Sequence, residues 1–385
     1  MACPRAVLGV LESRRYALLA AATALYILAV LVNAGIIDVL YTLPDYITEP
    51  RRAPTPYYLV LSSYSLAPFT SRIDGHALEE TLRRLTGVEK VVYEVLALVE
   101  YHGTDIVVRG VRGEDLVIVA GSYKVLGRPF DDHCIGCVWP GSALARELGL
   151  HRGDVIVVYS PFTRSDYALR VEGVLHASGP LSYELVTNPA TAMAIRGLGP
   201  GSTSIAIVFL DSLEGFERAV RLLGLPAAEK SMVGRALLAL RSHGGGVSAS
   251  AYESYTSMLL SRVGLSRSLL LALQAAVTLL LGLGFYTLGQ SLVLGSSEEL
   301  ELLHELGLPL RSARACITAL ALAHYAAAGL AAAAAAWRIL PGVRLGILHY
   351  RVGLVPDASI LAASLALGAA MLAAGVWMVK PDGRA

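Results

Sequence analysis

The sequence predicts a membrane protein with four transmembrane α-helices and a large extracytoplasmic α+β domain between the first and the second. Of its 385 residues, 55% are hydrophobic and only 16% are charged, and the mean hydropathy is +0.56. A helix of about 20 mostly apolar residues is needed to cross a bilayer. The stretches that meet this length are Tyr16–Ile37, Leu269–Leu294, Ala313–Trp337 and Ser359–Val379.

The basic residues at the two ends of the chain predict its orientation. Arg14 and Arg15 precede the first apolar stretch, and segments rich in Lys and Arg tend to stay in the cytoplasm. With four spans both termini are then cytoplasmic, which agrees with Lys380 and Arg384 after the last span. The first apolar stretch is longer than the roughly 7–15 residues of a secretory signal, so we expect an uncleaved anchor.

These features predict a division of the chain into seven parts in the cell membrane. The expected parts are a cytoplasmic N-terminus with the first span (1–37), an extracytoplasmic α+β domain with a stalk (38–267), the second span (268–295), a cytoplasmic coupling helix (296–312), the third span (313–338), an extracytoplasmic loop (339–357), and the fourth span with a C-terminal tail (358–385).

Short helix and strand patterns alternate between the first two spans, and this predicts a mixed α+β domain of two lobes. The domain is expected to open with an extended Pro-rich linker that includes Pro44 and Pro50. Residues Ala227–Arg267 are expected to be largely helical. Strands are expected at Val91–Val99, Ile106–Val111, Leu116–Val119, Val155–Tyr159, Tyr167–Leu175 and Ser204–Leu210. Helices are expected at Asp74–Leu85, Gly141–Leu150, Pro189–Arg196 and Ser212–Leu223.

The polar segment between the second and third spans has the pattern of a short amphipathic helix. Ser296 and Glu299 have the spacing of a capping box, and Gly307 and Pro309 are typical of a helix end. At helical spacing the apolar side is Leu302, Leu303 and Leu306, and the acidic side is Glu298, Glu301 and Glu305. Such a helix either presses into a groove on a partner or lies in the lipid headgroup region, and periodicity alone does not decide between the two.

This arrangement resembles the MacB/FtsX/LolC class of ABC transporter permeases, also called the type VII or mechanotransmission class. The segment 299–307 is similar to the E-x-x-x-L-x-x-L-G coupling pattern of that family, with matches at Glu299, Leu303, Leu306 and Gly307. The segment 139–155 resembles its small-Leu-Ala, Leu-Gly, Gly-Asp-x-Val signature. The chain lacks the Arg that the family often places before the coupling-helix Glu.

The resemblance implies a permease dimer, homo- or heteromeric, that works in the lipid bilayer with two copies of a separate cytoplasmic ATPase. The residues expected to contact the ATPase are Glu298, Glu299, Leu302, Leu303, Glu305, Leu306 and Gly307. The substrate could be a lipid, a lipoprotein, a peptide or a drug. A regulator of an extracytoplasmic enzyme that moves no solute shares the architecture, and a membrane-anchored sensor or adhesion protein without a motor is the alternative outside that class.

The sequence gives no sign of chemistry in this chain. It contains no G-x-x-x-x-G-K-[ST] phosphate loop, no G-x-S-x-G and no H-E-x-x-H, so we expect neither ATP hydrolysis nor a cofactor. The net charge of +1, without a basic stripe, argues against nucleic acid as a partner. Polar residues at membrane depth, His324, Gln274 and Gln290, are expected to form hydrogen bonds between helices.

Cys134 and Cys137 flank Ile135-Gly136 and follow His133. They could bind a metal with His133 or a nearby Asp, or they could form a disulfide. Because the segment is expected outside the cytoplasm, where thiols oxidise, we expect the disulfide.

Overall fold

The computed structural model describes residues 13–63, 67–222, 235–243, 246–252, 267–347 and 350–379. The chain divides into two compact units. The membrane unit consists of Met1–Val39, Arg267–Leu345 and Val352–Ala385, and the α+β unit consists of Leu40–Ser266 and Gly346–Arg351.

The described helices, in chain order, are α1 Ser13–Thr48, α2 Gly75–Arg84, α3 Leu116–Ala120, α4 Ser142–Leu148, α5 Pro189–Arg196, α6 Leu213–Leu222, α7 Arg267–Leu294, α8 Ser297–Glu305, α9 Leu310–Ile339 and α10 Ala358–Met378.

The described strands are β1 Tyr58–Ser63, β2 Val88–Tyr101, β3 Thr104–Gly110, β4 Tyr123–Gly127, β5 Cys137–Pro140, β6 Val155–Ser160, β7 Ser165–Val171, β8 Gly173–Ala177, β9 Leu185–Thr187, β10 Ile205–Leu210, β11 Arg235–His243, β12 Gly246–Tyr252, β13 Arg344–Ile347 and β14 Tyr350–Gly353.

Four helices are long and apolar enough to cross a membrane, and the α+β unit lies mainly between the first and the second of them in sequence. The expected fold class is therefore confirmed, and the chain is a multi-pass membrane protein. The four candidate spans are Arg15–Val39, Gln274–Leu294, Leu310–Gly342 and Ala358–Met378.

Two glycines let the second and fourth spans pack at backbone distance. A Cβ placed on Gly289 of α7 would overlap the carbonyl oxygen of Leu372 in α10, and one on Gly375 of α10 would overlap the carbonyl oxygen of Tyr286. Small residues at such positions let helices in a bilayer gain dispersion energy along their backbones. The glycines thus allow close packing between α7 and α10.

The α+β unit is organised around the long strand β2, which belongs to two sheets. The strand order is β12-β11-β1-β10-β2-β3-β9-β5-β7-β6, and Glu100 of β2 also pairs with Tyr159 of β6. The six strands β2, β3, β9, β5, β7 and β6 therefore close into a small barrel. The other four strands, β10, β1, β11 and β12, extend from β2 as an open sheet.

Each of these sheets has its own hydrophobic core, and the two cores correspond to the two lobes that the sequence predicts. The barrel core includes Val108, Val138, Ile156, Leu169 and Leu185. Helices α2 and α6 help to form the second core on the open sheet, which includes Leu59, Leu61, Leu78, Val208 and Phe216.

Three of the expected elements were wrong, and one expected strand is interrupted at one residue. Helix α1 continues through Pro44 to Thr48, where an extended linker was expected. Residues Leu116–Ala120 form the helix α3, because the backbone turns after Asp115 and ends in a positive φ at Gly121. The stretch Tyr167–Leu175 is split between β7 and β8 at Glu172.

The fourth difference lies in the segment that was expected to be largely helical. Its Leu and Ala residues favour a helix, but the structure has two strands there. Strand β11, Arg235–His243, pairs parallel with β1, and strand β12, Gly246–Tyr252, pairs antiparallel with β11. Pairing with an existing strand edge outweighs the weak intrinsic preference of these residues. The remainder of the expected stalk lies outside the described residues.

We predict that Gly141→Ala strongly destabilises the barrel, because a Cβ there would overlap the carbonyl oxygen of Leu181. Overpacking of this kind costs about 1–3 kcal/mol. The measurement is thermal unfolding of the full chain in detergent, followed by the fluorescence of the buried Trp139 after Trp337 and Trp377 are replaced by Phe. Gly199→Ala is the control, since a Cβ at Gly199 meets nothing within 4 Å. Equal effects of the two substitutions would contradict this packing.

Candidate functional site

The short helix α8 joins the second and third spans and is the candidate site for a partner. It begins at Ser297, within the expected range, but the expected capping box is absent. The hydroxyl of Ser296 caps no backbone N–H and instead accepts a hydrogen bond from Arg15 Nη1 at 3.3 Å. A residue from the start of the first span therefore holds the start of α8.

The end of α8 is as the sequence predicts. Gly307 adopts φ +90°, a left-handed conformation that glycine enters without steric cost, and its N–H donates to the carbonyl oxygen of His304 at 2.9 Å. Pro309 then precedes the first residue of α9, Leu310. The helix is thus limited to nine residues, and its direction changes before the third span.

The leucines of α8 divide between two environments. Leu300 is only 3% exposed and packs into the membrane unit, whereas Leu302 and Leu306 are 59% and 74% exposed. Leu302 and Leu306 are four residues apart, so they lie on the same side of the helix. The side chains of Leu303 and Glu299 lie outside the described residues.

Acidic residues surround the two exposed leucines. The side chains of Glu298, Glu301 and Glu305 are all exposed. At helical spacing Glu298 and Glu305 lie beside Leu302, so the apolar and acidic sides are closer together than two opposite faces would be. We name Leu302, Leu306, Glu298, Glu301 and Glu305 the docking face. Its chemistry fits a partner pocket that is apolar inside and cationic at its rim.

The cysteine loop lies at the edge of the barrel, and Cys134 and Cys137 are bonded to each other. A carboxyl oxygen of Glu172 lies 3.9 Å from the Cys137 sulfur. Among the described residues that could hold a metal, Glu172 joins the two sulfurs, and His133 does not. Arg170 Nε binds the same Glu172 oxygen at 2.5 Å, so this carboxylate is already neutralised by a cation.

His324 differs from what was expected. His324 Nδ1 forms a hydrogen bond of 2.8 Å with the carbonyl oxygen of Leu320, which lies in its own helix. Two tyrosines that the sequence analysis did not single out form hydrogen bonds between spans. Tyr26 and Tyr325 both donate to the carbonyl oxygen of Ser364 in α10, at 3.2 and 3.4 Å.

A buried ionic cluster lies in the α+β unit, and sequence reasoning missed it. Arg109 of β3 donates from Nε to Glu184 Oε2 at 2.5 Å and from Nη2 to Glu184 Oε1 at 2.8 Å. Its Nη1 donates to Glu94 of β2. Tyr350 of β14 donates its hydroxyl hydrogen to Glu184 Oε1 at 2.6 Å. All four side chains are buried, and we name Arg109, Glu94, Glu184 and Tyr350 the Arg109 cluster.

Burial and neighbouring charges shift the pKa values in the Arg109 cluster. Burial raises the pKa of Glu94, and the charge of Arg109 offsets part of that shift. Burial lowers the pKa of Arg109, but the charges of Glu184 and Glu94 outweigh it and the net shift is upward. Burial, together with the charge of Glu184, raises the pKa of Tyr350 well above its ordinary value. Tyr350 therefore keeps its proton at neutral pH and remains a donor.

Two charged residues within apolar strands indicate this cluster in the sequence. Arg109 interrupts the apolar strand Ile106–Val111, and Glu94 interrupts Val91–Val99. A charge in the middle of an apolar strand is expected to need a buried partner of opposite sign. The partners come from distant parts of the chain, so the sequence alone does not pair them.

No protein-family model matches the chain, and no curated protein matches it. The extracellular domain of the noncanonic ABC-type transporter YknZ from Gram-positive bacteria is similar over 44% of this chain and 95% of that domain, with 18% identity and a TM-score of 0.31. A domain of a candidate permease protein from Porphyromonas gingivalis is similar over 40% of this chain and 76% of that domain, with 14% identity and a TM-score of 0.26. With TM-scores below 0.5, these likenesses do not define the family of the chain.

We predict that Arg109→Met destabilises the α+β unit by about 3–5 kcal/mol, because it leaves Glu94 and Glu184 buried without their cation. A quadruple variant, Arg109→Met with Glu94→Leu, Glu184→Met and Tyr350→Phe, should recover most of that loss, since no buried charge remains. Chemical denaturation followed by Trp139 fluorescence measures the free energy of unfolding of both variants. A quadruple variant no more stable than Arg109→Met would contradict the assignment of the loss to unpaired charge.

Proposed function

We propose that this chain is the permease subunit of an ABC transporter of the MacB/FtsX/LolC class. A separate cytoplasmic ATPase binds and hydrolyses ATP, and the permease passes the resulting motion to its extracytoplasmic α+β domain. The work performed is the export or extraction of a lipid, lipoprotein, peptide or drug. The observation that carries the proposal is the docking face of α8.

The exposure of the docking face supports a protein partner for α8. Two leucines are more than half exposed, one on the nine-residue helix and one at its C-cap, and they leave an apolar surface in contact with water or lipid headgroups. Burying a leucine contributes roughly 1.5–3 kcal/mol. The neighbouring glutamates favour a partner with a cationic rim over an anionic lipid surface, which would repel them.

The proposed assembly contains two permease chains, alike or different, and two ATPase subunits. Each α8 occupies a groove on one ATPase subunit. Contacts outside the described side chains are expected as well, because the family pattern places Glu299 and Leu303 in this interface. This chain itself is not expected to be an enzyme. Both termini and α8 are cytoplasmic in this proposal, and the α+β domain is extracytoplasmic.

We predict that Asp211→Cys reacts with an impermeant maleimide in intact cells and that Glu305→Cys does not. Both positions are exposed, so access across the membrane decides the result. Labelling of the unsubstituted chain measures the background from its own cysteines, and labelling after membrane disruption shows that both introduced thiols can react. Protection of Asp211→Cys with labelling of Glu305→Cys would reverse the topology and remove α8 from the cytoplasm.

We predict that Leu302→Asp with Leu306→Asp releases the ATPase and leaves the membrane fold intact, because both leucines are already exposed. The permease and its candidate ATPase are purified together, and subunit retention and membrane-coupled hydrolysis are measured. A loss of retention of at least tenfold is expected, which corresponds to about 1.4 kcal/mol.

The matched control for this experiment is Leu126→Asp with Leu222→Asp. These leucines are 49% and 53% exposed but lie in the α+β unit. The control variant should retain the ATPase. Unchanged retention and hydrolysis in the α8 variant would refute the coupling role and favour an anchored sensor without a motor.

A further inference from the structure

Two chain segments that continue into candidate spans form hydrogen bonds within the Arg109 cluster. The carbonyl oxygen of Ile47, next to the last residue of α1, accepts a hydrogen bond from Arg109 Nη2 at 2.8 Å. Tyr350 belongs to the β13–β14 hairpin, which connects the third span to the fourth. The first span is part of α1 itself.

Arg109 holds these segments in one geometry. Its planar guanidinium donates to Glu94, to both oxygens of Glu184 and to the Ile47 carbonyl. Five N–H donors in a fixed plane allow little rotation once several of them are bound. Burial strengthens each of these bonds relative to water, because hydrogen bonds to charged groups are stronger in a low dielectric. The cluster is therefore stiff compared with an exposed ion pair.

Strand β14 of the hairpin depends on Tyr350 for this attachment. The Tyr350 side chain is fully buried, and its hydroxyl reaches the same Glu184 oxygen that Arg109 binds. The neighbouring Arg351 forms a second contact, from Nη2 to Glu147 Oε1 at 2.6 Å, but both of these side chains are partly exposed. Partly exposed ion pairs contribute little and exchange readily with water. Tyr350 is therefore the firm attachment point.

We propose that the Arg109 cluster is the junction through which movement of the spans reaches the α+β domain. Tyr350 transmits the movement of the third and fourth spans, and the Ile47 carbonyl transmits that of the first. This inference rests on the proposed function, in which ATP binding by the partner moves the spans. Tyr350 acts as a positioning residue, since it holds the hairpin on the domain and contacts no substrate.

The test is Tyr350→Phe, which keeps the buried ring and removes only the hydrogen bond to Glu184. The matched control is Tyr183→Phe. The Tyr183 ring packs edge-on against Tyr350 with centroids 6.5 Å apart, and among the described residues its hydroxyl makes no hydrogen bond to the cluster. Both variants make the same chemical change at neighbouring rings.

Two spin labels on one chain report the movement. They are attached to keto amino acids at Glu217 and Val355, which are both exposed, so the native cysteines remain in place. The distance distribution is measured by pulsed electron spin resonance on the full permease with its ATPase, without nucleotide and with a non-hydrolysable ATP analogue. ATPase retention and thermal unfolding are recorded for every variant.

Because the cluster holds the hairpin on the domain, we expect the nucleotide-dependent change in distance to be small, and equal, in the unsubstituted chain and in Tyr183→Phe. In Tyr350→Phe the spans move without carrying the domain, so the change should at least double, with ATPase retention unchanged. An equally small change in Tyr350→Phe would overturn the junction and leave the proposed function in place. A failure of the unsubstituted chain to bind the ATPase would overturn both.

Hydrogen exchange tests the attachment without any ATPase. Amide protons of β14 should exchange at least tenfold faster in Tyr350→Phe than in the unsubstituted chain, while those of β3 keep their rates. Tyr183→Phe should change neither. Equal exchange of β14 in all three proteins would show that Tyr350 does not hold the hairpin and would overturn the junction.

Discussion

The guanidinium of Arg109 is the group on which the arrangement of the α+β unit depends. It lies in the core with two carboxylates, and each ion taken out of water costs several kcal/mol unless its partners are in place. Those partners come from β2, from the residue before β9 and from the end of α1, and the β13–β14 hairpin adds its tyrosine. Other placements of these elements would leave a buried charge unpaired. The cluster thus selects one arrangement more than it adds stability.

The Arg109 cluster and the docking face differ in their exposure to water. The Arg109 cluster is closed to solvent and formed within one chain, so it suits a permanent attachment. The docking face is open, with Leu302 and Leu306 exposed beside glutamates, so its apolar surface is available to a partner. A subunit that binds and releases needs the second kind of contact, and a structural joint needs the first.

Local patterns predicted the parts of the fold that local physics decides. The length of the apolar stretches predicted the four spans, and Gly307 predicted the end of α8, because both features depend on a few neighbouring residues. Long-range contacts decided the rest. Arg15, which is distant in sequence, donates a hydrogen bond to the Ser296 hydroxyl that was expected to form the capping box. Strand β11 forms on the edge of β1, and β12 on the edge of β11, although leucine and alanine favour a helix. The Arg109 cluster joins residues that no spacing rule connects.

A single helix connects the two contacts along the chain. Helix α9 begins four residues after Leu306 and ends at Ile339, shortly before the hairpin that carries Tyr350. Its 30 residues contain no proline, and at 1.5 Å per residue they span about 45 Å. Because backbone hydrogen bonds fix the rise of a helix, it shifts as a rod and stretches little. In the proposed function, a displacement at the docking face is therefore passed along α9 with little stretching of the helix.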